Sequence, residues 1–87
     1  MLSKTQQLIV TQKVGDRVYQ RVAENGYGEN PKILIRYFNC IYKKIHETFG
    51  VEDFREIEDN QMSDLLKYIS LWVEPARLRR IKRSAAA

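Results

Sequence analysis

The segment from Asn30 to Gly50 constrains the fold more than any other part of the chain. Asn30 and Pro31 form a strong helix start, because asparagine caps free backbone N–H groups and proline suits the first helical position. Gly50 is a strong helix stop, because glycine accepts the left-handed conformation that ends many helices. Between them, apolar residues recur at the spacing of one buried helix face: Leu34, Phe38, Ile41, Ile45 and Phe49. The sequence therefore predicts a helix over residues 31–49, with a face widened by Ile33, Tyr37 and Tyr42.

Four valines predict a helix before this one. Val10, Val14, Val18 and Val22 recur at every fourth residue, which indicates a helix from about Lys4 to Glu24 with one apolar stripe. A short strand over residues 8–11 remains an alternative, because that run is rich in β-branched residues. Residues 25–30 contain two glycines and two asparagines and are typical of a chain reversal.

A third helix is predicted after an acidic connector over residues 52–59. Phe54 and Ile57 interrupt the acidic run and are expected to fasten a connecting loop to the core, with a strand or a single helical turn as the alternative. Asp59 or Asn60 then caps a helix that extends to about Val73, and Pro75 stops or kinks it. The apolar face of this helix comprises Met62, Leu65, Leu66, Ile69 and Trp72.

These elements predict an all-α fold: a small three-helix domain with a helical hairpin core and a basic C-terminal tail or short fourth helix. The domain is expected over residues 1–75 and the tail over residues 76–87, of which Ser84-Ala85-Ala86-Ala87 is interpreted as a cloning remnant. A chain of 87 residues has a marginal core of its own, so self-association or a protein partner is expected. The chain has no apolar run long enough to cross a membrane and no signal-peptide core, which favours a cytoplasmic protein.

Positive charge is concentrated at the C-terminal end. Five of the 15 basic residues lie after Pro75 with no acidic residue among them, and the rest of the chain holds 10 basic and 11 acidic residues. Such a cluster favours binding to a polyanion, with a solvated terminus or a linker as the alternative. The candidate nucleic-acid-binding residues are Arg77, Arg79, Arg80, Lys82 and Arg83, with Lys43 and Lys44 as additional candidates.

The residue types that carry catalysis or metal binding form no recognisable constellation. His46 is the only histidine and Cys40 the only cysteine, so a zinc site and an intramolecular disulfide are both excluded, and Cys40 is expected to be a small buried residue. The acidic residues of the connector lack the spacing of a calcium loop, and Gly26-Tyr27-Gly28 lacks the ending of a phosphate-binding loop. We therefore predict no enzyme, no cofactor and no small-molecule substrate.

A family resemblance covers residues 14–72. Its most specific part is Phe49-Gly50-Val51 together with Ile57, within three runs that cover residues 41–51, 53–57 and 62–69. These runs resemble the C-terminal domain of phage antirepressor-like regulators, of the open-reading-frame-six C-terminal type. The chain departs from the family at Glu58, where proline is frequent, and at Met62, where an aromatic residue is frequent.

The resemblance implies a role in phage or prophage gene regulation inside a bacterial host cell, usually behind a separate N-terminal DNA-binding domain. It supplies no catalytic residue. The leading expectation is therefore a non-enzymatic interaction or oligomerisation module of a phage-type transcriptional regulator. The alternative is direct binding of DNA or RNA through the basic C-terminal residues.

Overall fold

The structure, a computed structural model, describes residues 1–81 and contains only helices and loops in that range. The α-helices are α1 (Lys4–Glu24), α2 (Pro31–Phe49), α3 (Met62–Leu71) and α4 (Ala76–Arg79). Two 3₁₀ turns, Phe54–Glu56 and Asp59–Gln61, lie between α2 and α3. The all-α prediction is confirmed, and the alternatives of a strand at residues 8–11 or in the connector were wrong.

Helix α1 has the predicted bounds, and its valine stripe forms one wall of the core. Ser3 caps the helix by accepting a hydrogen bond from the Gln6 backbone N–H at 3.1 Å, and the Gln6 side chain accepts from the Ser3 N–H at 2.8 Å. The four valines at positions 10, 14, 18 and 22 are completely buried. A spacing of four residues is slightly more than one helical turn, so the line of valines winds gradually around α1. This lets α1 contact both α2 and α3.

Helix α2 also begins and ends as predicted. The Asn30 side chain accepts hydrogen bonds from the N–H groups of Lys32 and Ile33 at 3.0 and 3.3 Å. Gly50 has a φ of 67°, and the Val51 N–H returns to the His46 carbonyl at 3.0 Å. The buried face differs from the predicted one at Phe38 and Phe49, which are only partly buried. The buried residues of α2 are Ile33, Leu34, Tyr37, Cys40, Ile41 and Ile45.

The connector is anchored to the core but does not cap α3 as predicted. Ile57 is buried and Phe54 partly buried, in agreement with the prediction that they fasten this loop. Residues 59–61 form a 3₁₀ turn, so the prediction that Asp59 or Asn60 caps α3 was wrong; the cap residue is Gln61, with no side-chain hydrogen bond. The N-terminal residues also contact this loop, since the Leu2 N–H donates to the Arg55 carbonyl at 3.0 Å.

Helix α3 ends earlier than predicted, and the chain then forms a fourth helix. Trp72 is already extended (φ −62°, ψ 133°) with a buried side chain, and its carbonyl accepts a hydrogen bond from the Arg17 Nε at 2.8 Å. Pro75 neither stops nor kinks α3, because it is the residue before α4. Of the two outcomes considered for the C-terminal segment, residues 76–79 adopt the short helix, which packs on the bundle through Leu78, only 2% exposed.

Within residues 1–81 no helix is long and apolar enough to cross a membrane. Cys40 is free and buried, as predicted.

Candidate functional site

Three basic side chains from two helices surround one shallow depression on the surface. Arg36 and Lys43 come from α2 and Arg77 from α4. The depression has a volume of about 240 Å³, and its other lining residues are Asn39, Cys40 and Leu78. We call Arg36, Lys43 and Arg77 the basic face. It combines two of the candidate residues from the sequence, Lys43 and Arg77, with a third, Arg36, that the sequence reasoning missed.

The spacing along α2 explains why Arg36 belongs to this face. Residues 32, 36, 39 and 43 are Lys, Arg, Asn and Lys, separated by four, three and four positions. Residues at these intervals lie on one side of a helix, so this pattern is a polar stripe opposite the core. The pattern was visible in the sequence, but its junction with Arg77 depends on the tertiary position of α4.

The remaining candidate cations have other surroundings. The Arg79 Nε lies 3.9 Å from the Glu74 Oε1, and the Lys44 Nζ lies 3.6 Å from the Glu47 Oε2. These carboxylates partly neutralise the two cations. Arg80 is exposed and does not line the depression. The predictions for Lys82 and Arg83, and for residues 84–87, lie outside the described residues.

Glu74 fixes the segment that leads into α4. This residue is only 1% exposed, and its carboxylate accepts hydrogen bonds from the Arg21 Nε at 2.7 Å, the Arg21 Nη2 at 2.9 Å and the Asn25 Nδ2 at 2.7 Å. Burial alone would raise the pKa of Glu74, but the hydrogen bonds from Arg21 and Asn25 outweigh it and hold the pKa below its ordinary value. The Glu74 hydrogen bonds raise the pKa of Arg21 in turn. Both groups are therefore charged in the folded protein at neutral pH.

Two tyrosines fasten α4 itself. The Tyr37 O–H donates to the Leu78 carbonyl at 2.9 Å and accepts a hydrogen bond from the Asn25 Nδ2 at 3.1 Å. Burial raises the pKa of this phenol, so it remains a donor at neutral pH. The Tyr27 O–H donates to the Arg79 carbonyl at 2.6 Å, which gives a role to the tyrosine between two turn glycines. These bonds hold the backbone of α4, which carries Arg77, beside α2.

A second candidate surface lies at the C-terminal end of α3. An open groove of about 550 Å³ is lined by Phe49, Asp64, Lys67, Tyr68, Leu71, Trp72 and Val73, and we call it the α3 groove. Leu71 and Val73 are 68% and 52% exposed. The rings of Phe49 and Tyr68 meet edge to face, with centroids 6.1 Å apart. Aromatic and aliphatic residues arranged in this way are typical of a protein contact surface.

A third groove, of about 610 Å³, lies between the start of α1, the end of α2 and the connector. Its apolar lining residues are Leu8, Tyr42 and Phe54, and six of its nine lining residues are polar. The Arg55 guanidinium holds the pKa of Asp53 at about 2, through hydrogen bonds of 3.0 and 2.6 Å.

Residues 1–81 contain no group of three or more His, Cys, Asp or Glu side chains that could hold a metal ion.

Comparisons with protein-family models, with curated proteins and with solved structures found no match for this chain.

Proposed function

We propose that this protein is a non-enzymatic interaction module that self-associates through the α3 groove, in the setting of a phage or prophage transcriptional regulator inside a bacterial cell. The observation that carries the self-association is the exposure of Leu71 and Val73 beside three aromatic rings. The regulatory setting is supported by the sequence resemblance over residues 14–72.

Exposure of this apolar surface to water is unfavourable, and contact with a second protein surface would bury it. Burial of apolar area stabilises a contact by about 25 cal/mol per Å², so two large exposed aliphatic side chains give a substantial gain. Phe49 and Tyr68 add rigid aromatic area at little cost in side-chain entropy. Anchors of this kind contribute most of the affinity in measured protein interfaces.

The charges on the groove favour a second copy of the same chain as the partner. A twofold contact places the same patch on both sides, so a patch that carries charge is complementary to itself only when it offers both signs. The α3 groove is lined by Asp64 and Lys67, one acid and one base on successive turns of α3. A small core that benefits from additional burial supports the same choice.

The test is the molar mass in solution as a function of concentration, measured by size-exclusion chromatography with light scattering. The expected result is a dimer that dissociates on dilution, and a Leu71→Lys variant that remains monomeric. Ile35→Lys is the matched control, because Ile35 is 59% exposed and does not line the groove. A wild-type chain that is strictly monomeric at high concentration would contradict self-association, and so would equal effects of the two variants.

The regulatory setting has a separate test in the neighbourhood of the gene. Integrase, repressor or phage structural genes on either side support a prophage regulator. A position within a conserved metabolic operon contradicts it, whatever the oligomeric state.

A further inference from the structure

We propose that the basic face, formed by Arg36, Lys43 and Arg77, binds the sugar-phosphate backbone of a nucleic-acid duplex. This contact is independent of the self-association through the α3 groove, because the two surfaces have no lining residue in common.

The first argument is the availability of the charges. The ion pairs formed by basic side chains within residues 1–81 involve Arg21, Lys44, Arg55 and Arg79, and none involves the basic face. The depression between the three cations is lined by no carboxylate. Three positive charges that converge without local neutralisation attract a polyanion and release its condensed counterions on binding.

The second argument is the spacing of the charges. Arg36 and Lys43 are seven residues apart on α2, which is about 10 Å along the helix axis at 1.5 Å per residue. Three base-pair steps of a duplex also advance about 10 Å along its axis, at 3.4 Å each. Asn39 lies between the two cations on the same side of α2 and offers a neutral amide donor of the type that also contacts phosphates.

The third argument is the fixed position of Arg77. Its neighbour Leu78 is buried, and the Leu78 carbonyl accepts the Tyr37 hydrogen bond at 2.9 Å. The backbone of α4 is therefore held beside α2 before any ligand arrives, which lowers the entropic cost of binding. A site made of two arginines and a lysine around a shallow depression suits phosphate groups, whereas it offers few groups that could read base edges.

These features predict weak, sequence-independent binding with a defined salt dependence. Three phosphate contacts give a slope of log K against log salt of about −2.7 on duplex DNA. The affinity should therefore fall about 40-fold between 50 and 200 mM NaCl.

The experiment is fluorescence anisotropy of a labelled 20-base-pair DNA duplex of mixed sequence, titrated with the whole chain at several salt concentrations. The double variant Arg36→Gln/Lys43→Gln removes two phosphate contacts and should bind more weakly than wild type at 50 mM NaCl. Because one contact remains, the affinity of this variant should fall only about 3.5-fold between 50 and 200 mM NaCl. Lys4→Gln/Lys13→Gln is the matched control, because both lysines are exposed on α1 and the change in net charge is equal. The control should retain the wild-type slope.

Further arms separate the alternative ligands and residues. A duplex RNA of the same sequence shows whether the backbone contact extends to RNA, and binding to either duplex with the predicted pattern of variants supports the proposal. An unchanged slope in the Arg36/Lys43 variant would overturn it, and so would equal losses in the control. A loss confined to Lys82→Gln/Arg83→Gln assigns binding to the last residues of the chain and also overturns it. Tighter binding to vesicles that contain phosphatidylserine than to either duplex would also overturn the proposal.

Discussion

Arg21 in α1 donates two hydrogen bonds to the buried carboxylate of Glu74, a residue 53 positions later in the chain. Paired bonds of this kind are among the strongest polar contacts in proteins, because both partners are charged and the planar guanidinium matches the carboxylate. The pair joins the first helix to the segment that leads into α4. Together with the Tyr37 and Tyr27 hydrogen bonds, it therefore holds α4 on the bundle, and with it Arg77 of the basic face.

Glu74→Ala should lower the free energy of unfolding by about 3 kcal/mol, the lower end of the range for removal of one partner of a buried ion pair. The lower end applies because Arg21 retains its contact with Glu24. The measurement is urea unfolding followed by circular dichroism. The matched control is Glu24→Ala, which removes an exposed partner of the same arginine and should cost less than about 1 kcal/mol. Equal losses in the two variants would contradict the structural role of Glu74.

The same carboxylate predicts a stability loss in acid. The pKa of Glu74 in the folded protein lies below its unfolded value of 4.5. A depressed pKa means that the unfolded state takes up the proton more readily, so this stabilisation is complete above pH 4.5 and is lost as the pH falls through the folded pKa. The difference in unfolding free energy between wild type and Glu74→Gln should therefore be largest near pH 7 and shrink below pH 4.5. A difference that stays constant to pH 3 would contradict the assignment.

Tyr37→Phe should destabilise the protein by about 1–3 kcal/mol, because the buried Leu78 carbonyl and one Asn25 N–H would lose their partner. Tyr68→Phe is the control, since the Tyr68 hydroxyl only accepts an exposed hydrogen bond from Thr48 at 3.3 Å. Thermal unfolding at neutral pH compares the two. Alkaline titration of tyrosine absorbance gives a second readout. Burial raises the pKa of both Tyr37 and Tyr42, so Tyr37→Phe should remove one of two late-titrating tyrosines. Similar melting temperatures for both variants would count against a buried Tyr37 bond.

The sequence predicted the local features of the fold because these depend on neighbouring residues. The Asn30 cap, the Gly50 stop and the valine stripe of α1 each follow from residues within a few positions of one another. The Glu74 pair and the docking of α4 could not be predicted in this way, since their partners lie more than 40 residues away. Glu74 appeared in the sequence only as the last acidic residue before a basic run. Its burial is a tertiary property.

The candidate site shows the same division between local and long-range information. The stripe that contains Arg36 and Lys43 obeys helical spacing and was accessible from the sequence. The rotation of α4 against the bundle places Arg77 beside this stripe and Arg79 near Glu74, and the sequence does not reveal this rotation. The sequence reasoning treated the C-terminal cations as equivalent. In the structure, Arg77 lines the depression, whereas Arg79 lies close to a carboxylate.

Replacement of glycine by alanine should have opposite effects at two positions. Gly50 has a φ of 67° at the end of α2, a conformation that disfavours any side chain, so Gly50→Ala should lower the free energy of unfolding by about 1 kcal/mol. Gly15 lies inside α1, and a methyl group there would meet no atom within 4 Å. Gly15→Ala should therefore raise the free energy of unfolding by about 0.5–1 kcal/mol, because alanine loses less backbone freedom in a helix.

Urea unfolding of both glycine variants measures the two signs directly. Space is not the cause of the difference, since a methyl group at Gly50 would also meet no atom within 4 Å. The two sites differ in backbone conformation and not in available space, so the pair tests the helix stop at Gly50 directly. A stabilising Gly50→Ala substitution would show that α2 does not end in the left-handed conformation. A destabilising Gly15→Ala substitution would show that α1 is not a continuous helix through residue 15.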